Sequence, residues 1–389
     1  MRSYEKIWEY IDKKLHISDI PLKGMPKYAL NLTYWTGGLL AAAFIYQALT
    51  GMLLLLYYQP GATLTNPNDP TSALAYSSTM FIMTKVLFGN IILTSHQYMA
   101  YAMIFLIYVH FFRNYFLGVY KKPRGLAWSV GILMAIITIL LGYTGYFLPY
   151  TEISVDATNV GVNIAGQVPI IGNLLASLLI GNGTMAERFS RFLDYHVIIL
   201  PTLLILLLGL HMYLFEKNEA APPLKLKSEM KKIKWFPTYF IYTIAITLLL
   251  WGLILVISGI FPLSLLPVYG SGIPITPMPE WYLMPEYKFL DFQGITPLIE
   301  IIAISLLILF LIFLPFLDRS ESRDPKDRPI FVAIGSTNLS LLILLTAWGY
   351  EQPAILIPVP EWVSIIFIII LFNFGFTYFM YKRYRSEEL

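Results

Sequence analysis

Apolar residues in this chain neither alternate nor form a stripe; they come in long blocks that leave no polar face. Eight runs of roughly 20 mostly apolar residues lie near 35–58 (span A), 92–115 (B), 127–149 (C), 194–216 (D), 237–262 (E), 295–317 (F), 330–350 (G) and 360–382 (H). A segment that is apolar all round belongs in lipid or at the centre of a large protein, and runs of this length match the hydrocarbon thickness of a bilayer. The pattern predicts an all-α polytopic membrane protein with eight transmembrane helices. Two stretches depart from it. Residues 1–30, "MRSYEKIWEYIDKKLHISDIPLKGMPKYAL", are charged and amphipathic without an apolar centre. They read as an interfacial helix and lack the form of a cleaved signal peptide; His16 within them reads as a surface residue. Residues 150–193, between C and D, contain "NVGVNIAGQVPIIGNLLASLLIG", a stretch suited to short amphipathic helices.

Composition agrees with this reading: 57% of the residues are apolar and 13% charged, against about 25% charged in soluble proteins. Basic residues set the orientation, because lysine and arginine gather on the cytoplasmic side. With the N-terminus inside, the cytoplasmic pieces hold 23 Lys and Arg, whereas the outer ones hold four: Lys85, Arg188, Arg191 and Lys288. Both termini are therefore expected in the cytoplasm. The net charge of +3 follows from this asymmetry and gives no reason to expect a nucleic-acid partner. The chain has no cysteine, which excludes disulfides, thiolate-held metals, iron–sulfur ligation and thioether-linked haem on its own residues.

Imidazoles are costly in hydrocarbon unless something satisfies them, yet four of the five histidines fall in two spans. His96 and His110 stand fourteen residues apart in B, and His196 and His211 fifteen apart in D. The steps correspond to about 21 and 22 Å of helix, about 40° short of and 60° beyond whole turns. Each pair thus lies on nearly one face, with one imidazole toward each membrane surface. Two such helices side by side present two opposed imidazole pairs, a four-helix core suited to two bis-histidine haems at two depths. A lone intramembrane histidine is as readily a satisfied interface residue or a proton relay, but matched pairs on two helices ask for more. Glycine repeats the interval: Gly37 and Gly51 in A, and Gly131 and Gly145 in C, are each fourteen apart. A macrocycle edge pressed against a helix needs positions with no side chain, where small residues allow close approach.

Taken in chain order, "LTG" (49–51), His96/His110, "GYFLP" (145–149), His196/His211, "PEWY" (279–282) and "LPFLDRS" (314–320) resemble the cytochrome b family, the membrane core of quinol-oxidising cytochrome bc complexes. The resemblance runs from about residue 30 to about 380. "FFRNYFLGVYKKPRGLAW" after His110 and "RFLDYHVIILP" around His196 are similar to the chloroplast-type branch, although the chain has respiratory-type length. The implied division is a cytoplasmic segment (1–30), a di-haem bundle of spans A–D (31–220) and C-terminal quinol-site helices E–H (221–389). The resemblance implies two non-covalent b-type haems, with His96 and His196 holding the outer one and His110 and His211 the inner one. Arg113 and Arg191 occupy positions where the family pairs basic residues with haem propionates, for which a planar guanidinium is well shaped; Arg113 reads equally well as a positive-inside anchor. Two positions depart from the family. Leu93 stands where an arginine is usual, so that the outer haem either lacks one propionate partner or takes Lys85 or another group in its place. Trp35 stands where the chloroplast type has a haem-attaching cysteine, so a covalently held third haem is not expected.

Quinol oxidation releases two protons and sends two electrons to different acceptors. Glu280 in "PMPEWYLMPEY" is the candidate proton acceptor, on the outer side between E and F, flanked by Pro279 and Trp281. Partial burial raises a carboxyl toward a useful range for that role. The segment by itself reads equally well as an interfacial loop with a Trp/Tyr belt. Tyr146 and Tyr287 match family positions lining the quinol pocket, and Tyr282 belongs to the motif as a packing residue. By the same resemblance the C–D loop docks a Rieske iron–sulfur protein, which takes one electron, with a cytochrome c or another acceptor subunit beyond it. The other electron crosses the haems to a quinone near the cytoplasmic face, where Glu216, Lys217, Lys225 and Glu229 are candidates. A homodimeric complex in a cell membrane or equivalent energy-transducing membrane, in contact with lipid, is implied too. Two rivals use the same histidines: a di-haem membrane anchor of a quinone-linked dehydrogenase or reductase, and a transporter with histidine proton relays. The first has no use for "PEWY" or four further spans; the second has none for the matched glycines.

Overall fold

The computed structural model describes residues 24–181, 183–225, 231–276 and 278–387. Most of the predicted N-terminal interfacial segment, with His16, lies outside them, as does Glu229. Among the described residues, eight helices are long and apolar enough to cross a membrane. They are α1 (Thr36–Leu55), α3 (Gly89–Phe116), α4 (Gly125–Phe147), the joined α7 (Met185–Asp194) and α8 (Leu200–Asn218), α9 (Phe240–Ile260), α11 (Pro297–Leu317), α12 (Pro329–Glu351) and α13 (Val359–Glu387). All eight predicted spans are present, with bounds moved by a few residues. The largest change is in D, whose helix begins at Met185 because the amphipathic α7 runs straight into the apolar α8. Short helices α5 (Glu152–Gly166) and α6 (Gly172–Ile180) fill the C–D connection, as the pattern there predicts. The apolar runs leave no mark of α2 (Leu74–Lys85), which is too short and too rich in Ser and Thr to read as a span.

The junction of α7 and α8 is a π-helical turn over Tyr195–Ile199. Pro201, at the start of α8, has no N–H to donate back to residue 197, so the ordinary ladder fails there and one extra residue is taken into the turn. That extra residue absorbs the fifteenth position between His196 and His211. The pair consequently winds like the fourteen-residue pair in α3, and both imidazoles face one neighbour, α4.

The two halves of the chain are packed together. Ile254 of α9 joins Ala43, Tyr46, Met99, Met103 and Leu204 in one buried cluster, and the Trp251 indole N–H donates to the Ala42 carbonyl at 3.0 Å. Leu314 of α11 is buried with Tyr115, Tyr120 and Trp128, and Trp128 donates to the Leu311 carbonyl at 2.6 Å. A buried indole N–H needs an acceptor, and here it finds one on a neighbouring helix. The opposite surfaces of α9 and α13 expose Leu, Ile and Phe in number, as surfaces solvated by lipid do. At the end of the bundle bearing Glu280, Phe147, Tyr150, Val155, Phe189, Phe192 and Val268 knit the A–B, C–D and E–F loops into a buried cap.

At the other end the loops rich in lysine and arginine are stitched by charge. Met25–Pro26 (β1) pairs antiparallel with Lys232–Ile233 (β2). Asp318, at the end of α11, is buried among Lys121 at 2.8 Å, Arg328 at 3.4 Å and the Tyr120 hydroxyl at 2.5 Å. Burial pushes the Asp318 carboxyl up, but hydrogen bonds and charge from Lys121, Tyr120 and Arg328 outweigh it and hold the carboxyl below the ordinary carboxylate range. Removing one member of such a buried set strands its partners' charge. Asp318→Asn is therefore expected to cost about 3–5 kcal/mol at pH 7, read as a lower midpoint of thermal unfolding in detergent. The stabilisation is complete above a pH of about 4 and is lost as pH falls through the depressed native value, so the variant and parent curves converge in acid. Equal midpoints at pH 7 would contradict this account.

Candidate functional site

The four span histidines come together in the first four-helix group at two levels. At the level nearer Glu280, the His96 and His196 rings stand opposite each other with centroids 6.3 Å apart and their planes at 73°. Two metal–imidazole bonds of about 2.0 Å, together with the distance from each nitrogen to its ring centre, come to about 6 Å. The opposed rings thus leave the spacing that an iron held between two nitrogens requires. At the level nearer the basic end, His110 and His211 stand in register on the same two helices.

Each imidazole lies against one of the predicted glycines, and each glycine against one histidine. A Cβ at Gly51 would meet the His96 ring at 3.3 Å, and one at Gly145 the His196 ring at 2.5 Å. At the other level, a Cβ at Gly37 would meet His110 at 3.4 Å and one at Gly131 would meet His211 at 3.5 Å. At Gly145 no other residue can stand without moving the imidazole. The fourteen-residue steps of α1 and α4 therefore track the fourteen- and fifteen-residue steps of α3 and α8, level by level.

A second set of contacts repeats at the same interval. The threonine preceding each α1 glycine meets a ring nitrogen: Thr50 Oγ1 lies 2.9 Å from His96 Nδ1, and Thr36 Oγ1 lies 2.8 Å from His110 Nδ1. Thr50 already donates to the Tyr46 carbonyl, so toward His96 it accepts. The imidazole then carries its proton on Nδ1 and keeps a lone pair on Nε2, the tautomer a metal ligand needs. In His196, Nδ1 donates to the Leu141 carbonyl at 3.0 Å, with the same result. The Asn114 amide donates to His110 Nε2 at 3.1 Å, which marks that nitrogen too as the acceptor. His211 Nδ1 is buried, with the Ala127 backbone as its neighbour on α4. Half-buried imidazoles oriented through Nδ1, with Nε2 left as the acceptor, suit the haem that the resemblance implies.

The arginines differ. Arg113 lies over the Tyr34 ring at 4.3 Å, donates to Asn114 Oδ1 at 2.8 Å and keeps a buried Nε without a partner, an orphan donor beside the His110 level. Arg191 donates to the Leu178 carbonyl at 3.1 Å. Arg188, one turn earlier, is buried against Asn159 at 2.6 Å, with its own Nε unpartnered. Lys85, the substitute considered for Leu93, is exposed at the last residue of α2. Trp35 is buried and stacks on Tyr239 with centroids 4.8 Å apart.

Glu280 sits at the start of a helical turn (Trp281–Leu283) that leads into α10 (Met284–Leu290). Its carboxylate reaches α3: Tyr101 donates to Oε2 at 2.5 Å and Gln97 to Oε1 at 3.1 Å. Burial pushes the Glu280 carboxyl up, while the hydrogen bonds from Tyr101 and Gln97 act against it. Tyr146 on α4 and Tyr282 face the same carboxylate. Tyr282 is buried, and its hydroxyl would lie 2.7 Å from a Cβ at Gly142, so the motif tyrosine wedges into α4. Trp281 packs edge-on against Tyr108, with centroids 6.1 Å apart. Tyr287 has Asp291 as its charged neighbour and is not drawn to Glu280. The turn is anchored from behind by Lys288, fully buried, which donates to the Gln352 and Ile355 carbonyls at 2.9 and 3.2 Å and pairs with Asp291.

Sequence reasoning did not single out Thr36, Thr50, Gln97, Tyr101 or Lys288. The threonines left a signal, "TG" repeated at the glycine interval; Gln97 and Tyr101 left only polarity beside a ligand in an apolar span. At the basic end, a small cavity is lined by Met25, Pro26, Phe215, Glu216 and Glu219, beside the candidates for a second quinone site.

Residues 101–269 match the family described as Cytochrome b(N-terminal)/b6/petB, and residues 271–372 match Cytochrome b(C-terminal)/b6/petD. The chain is 33% identical over 400 residues to a cytochrome b of Sulfolobus acidocaldarius, covering 93% of this chain and 68% of that one. It is 31% identical over 344 residues to a cytochrome bc complex cytochrome b subunit of Chlorobaculum thiosulfatiphilum, covering 86% and 77%. It is also similar to cytochrome b6 of Synechococcus elongatus, at 32% identity over 56% of this chain and 99% of that one. A chain of a hyperthermophilic respiratory Complex III superposes with a TM-score of 0.75 at 26% identity, covering 95% of this chain and 96% of its own. The histidine pairs, their glycines and the Glu280 turn are thus found in a chain that belongs to the cytochrome b family of haem-binding membrane electron carriers.

Proposed function

We propose that this chain is the cytochrome b subunit of a respiratory bc-type quinol-oxidising complex. Quinol is oxidised in the pocket at the Glu280 end, one electron leaving to a Rieske iron–sulfur partner and onward to a cytochrome c or other acceptor. Two b haems, held by His96 with His196 and by His110 with His211, supply when bound a one-electron path toward the basic end, where a quinone is reduced beside Glu216. The observation that carries this reading is the opposed pair His96–His196, 6.3 Å apart over Gly51 and Gly145, with His96 on α3, the helix whose Gln97 and Tyr101 hold the Glu280 carboxylate.

The chain's own residues do the remaining work. Gly37, Gly51, Gly131 and Gly145 keep two slots open, and Thr36, Thr50 and the Leu141 carbonyl fix the imidazole protons on Nδ1. Arg113 and Arg191 or Arg188 meet acidic groups at the slot edges. Glu280 takes one of the two quinol protons in a pocket walled by Pro279, Trp281, Tyr282 and Tyr146, and releases it to the outer side. The excess of lysine and arginine in the loops of one side supports an orientation with both termini in the cytoplasm, in an energy-transducing cell membrane. A homodimeric assembly follows from the same family reading. A di-haem anchor would leave the Glu280 turn and α9–α13 without a task.

Two outcomes test this reading. Gly145→Leu drives a side chain into the His196 ring, and is expected to lower the haem content of the assembled complex from two per chain to about one, with the His110–His211 site filled. Haem content unchanged from the parent would contradict the slot. Glu280→Gln removes the proton acceptor, and quinol oxidation is expected to fall by about 10²-fold or more. Because burial raises this carboxyl, the parent rate declines as pH falls through that raised value, where Glu280 becomes protonated. The variant is expected to lose this acid limb. An unchanged rate would overturn the assignment.

A further inference from the structure

Both carboxylate oxygens of Glu280 are met by donors, and both donors stand on α3. Tyr101 O–H lies 2.5 Å from Oε2, the Gln97 amide lies 3.1 Å from Oε1, and that amide also donates to the Tyr101 hydroxyl. Gln97 and Tyr101 are one turn apart on one face, and Gln97 follows His96 directly. The backbone of His96 is itself anchored, its carbonyl accepting from Gln47 at 2.9 Å. The carboxylate is thus tied by two bonds to a fixed stretch of the helix that presents the outer histidine.

An ionised carboxylate only accepts, whereas a protonated carboxyl must also donate. Gln97 Nε2 offers nothing to receive that proton, and the Tyr101 oxygen receives it only by turning its own proton away. The two contacts therefore suit the ionised form, and binding a proton breaks one of them. The other titratable groups that face Glu280 are Tyr146 of α4, Tyr282 of its own turn and Tyr350 of α12. Glu286, six residues further on, faces Tyr108 and Glu300 instead. Among the described residues, Tyr101 and Gln97 are the side chains that donate to the carboxylate.

We infer that Tyr101 and Gln97 form a clamp that holds Glu280 ionised and aimed at the His96 segment until it accepts a proton, and that opens when it does. The inference rests on Glu280 being the proton acceptor. Tyr101 and Gln97 are positioning residues: they act through Glu280 and set the pH at which it is ready. Hydrogen bonds to the charged form favour that form, so removing the Tyr101 hydroxyl makes Glu280 hold its proton more tightly.

The test is the pH profile of quinol oxidation in the assembled complex, with haem content measured for each variant. Tyr101→Phe is expected to move the acid limb upward by about one pH unit, a tenfold change in proton affinity, while leaving the rate at high pH within a few-fold of the parent. Gln97→Leu is expected to move it in the same direction, and serves alone if Tyr101→Phe fails to assemble. Tyr98→Phe is the control, because that hydroxyl donates to the Phe261 carbonyl, away from Glu280. In the Glu280→Gln background, Tyr101→Phe is expected to change nothing further. A uniform loss of rate with an unmoved limb in Tyr101→Phe and Gln97→Leu overturns the clamp. If Glu280→Gln itself keeps the parent rate and limb, the proton-acceptor reading fails first.

Discussion

An imidazole pair can hold a flat macrocycle in a helix bundle only if the neighbouring helices give up their side chains at the same depth. That constraint of depth and register organises the first half of this chain. His96 lies over Gly51 and His196 over Gly145 at one level; His110 lies over Gly37 and His211 over Gly131 at the other. The interval is set by helix rise and rotation, so every contributor must repeat it: glycine, histidine, and the threonine that orients each α3 imidazole. Span D carries a fifteenth residue, and the π turn enforced by Pro201 returns it to register. A local defect in the hydrogen-bond ladder thus preserves the global alignment.

Other features follow from fixing these levels. The C-terminal helices brace the bundle through indole–carbonyl bonds, which are specific where apolar contact in lipid is not. Loops close both ends, one by aromatic packing around Phe147 and Phe189, the other by the buried charges around Asp318. The Glu280 turn is held on one side by Lys288 and reaches the His96 helix on the other. The Glu280 carboxylate and the proposed electron path therefore share one element, α3, the carboxylate being held by the residue next to His96.

Much of this was legible in the sequence, because its signals are periodic or compositional. Lipid-length runs marked the eight spans, and the intervals of four histidines and four glycines marked the two levels before any contact was known. What stayed hidden depends on partners distant in sequence or on the backbone. Glu280 meets Gln97 across 183 positions, and no periodicity announces that. The acceptor for His196 is the Leu141 carbonyl, which any residue would supply. Arg188 reads as an ordinary outer charge until α7 buries it against Asn159, and Tyr287 shares a motif with Glu280 while facing Asp291. Lys288, counted among the outer charges, is a fully buried lock.

The central claim is that the two imidazole levels each hold one redox-active haem. A potentiometric titration of the purified complex, followed at the reduced b-type α-band and normalised to haem per chain, tests it most directly. The account predicts two one-electron components of equal amplitude and two haems per chain. A single component with one haem per chain, or no reducible α-band, would contradict it.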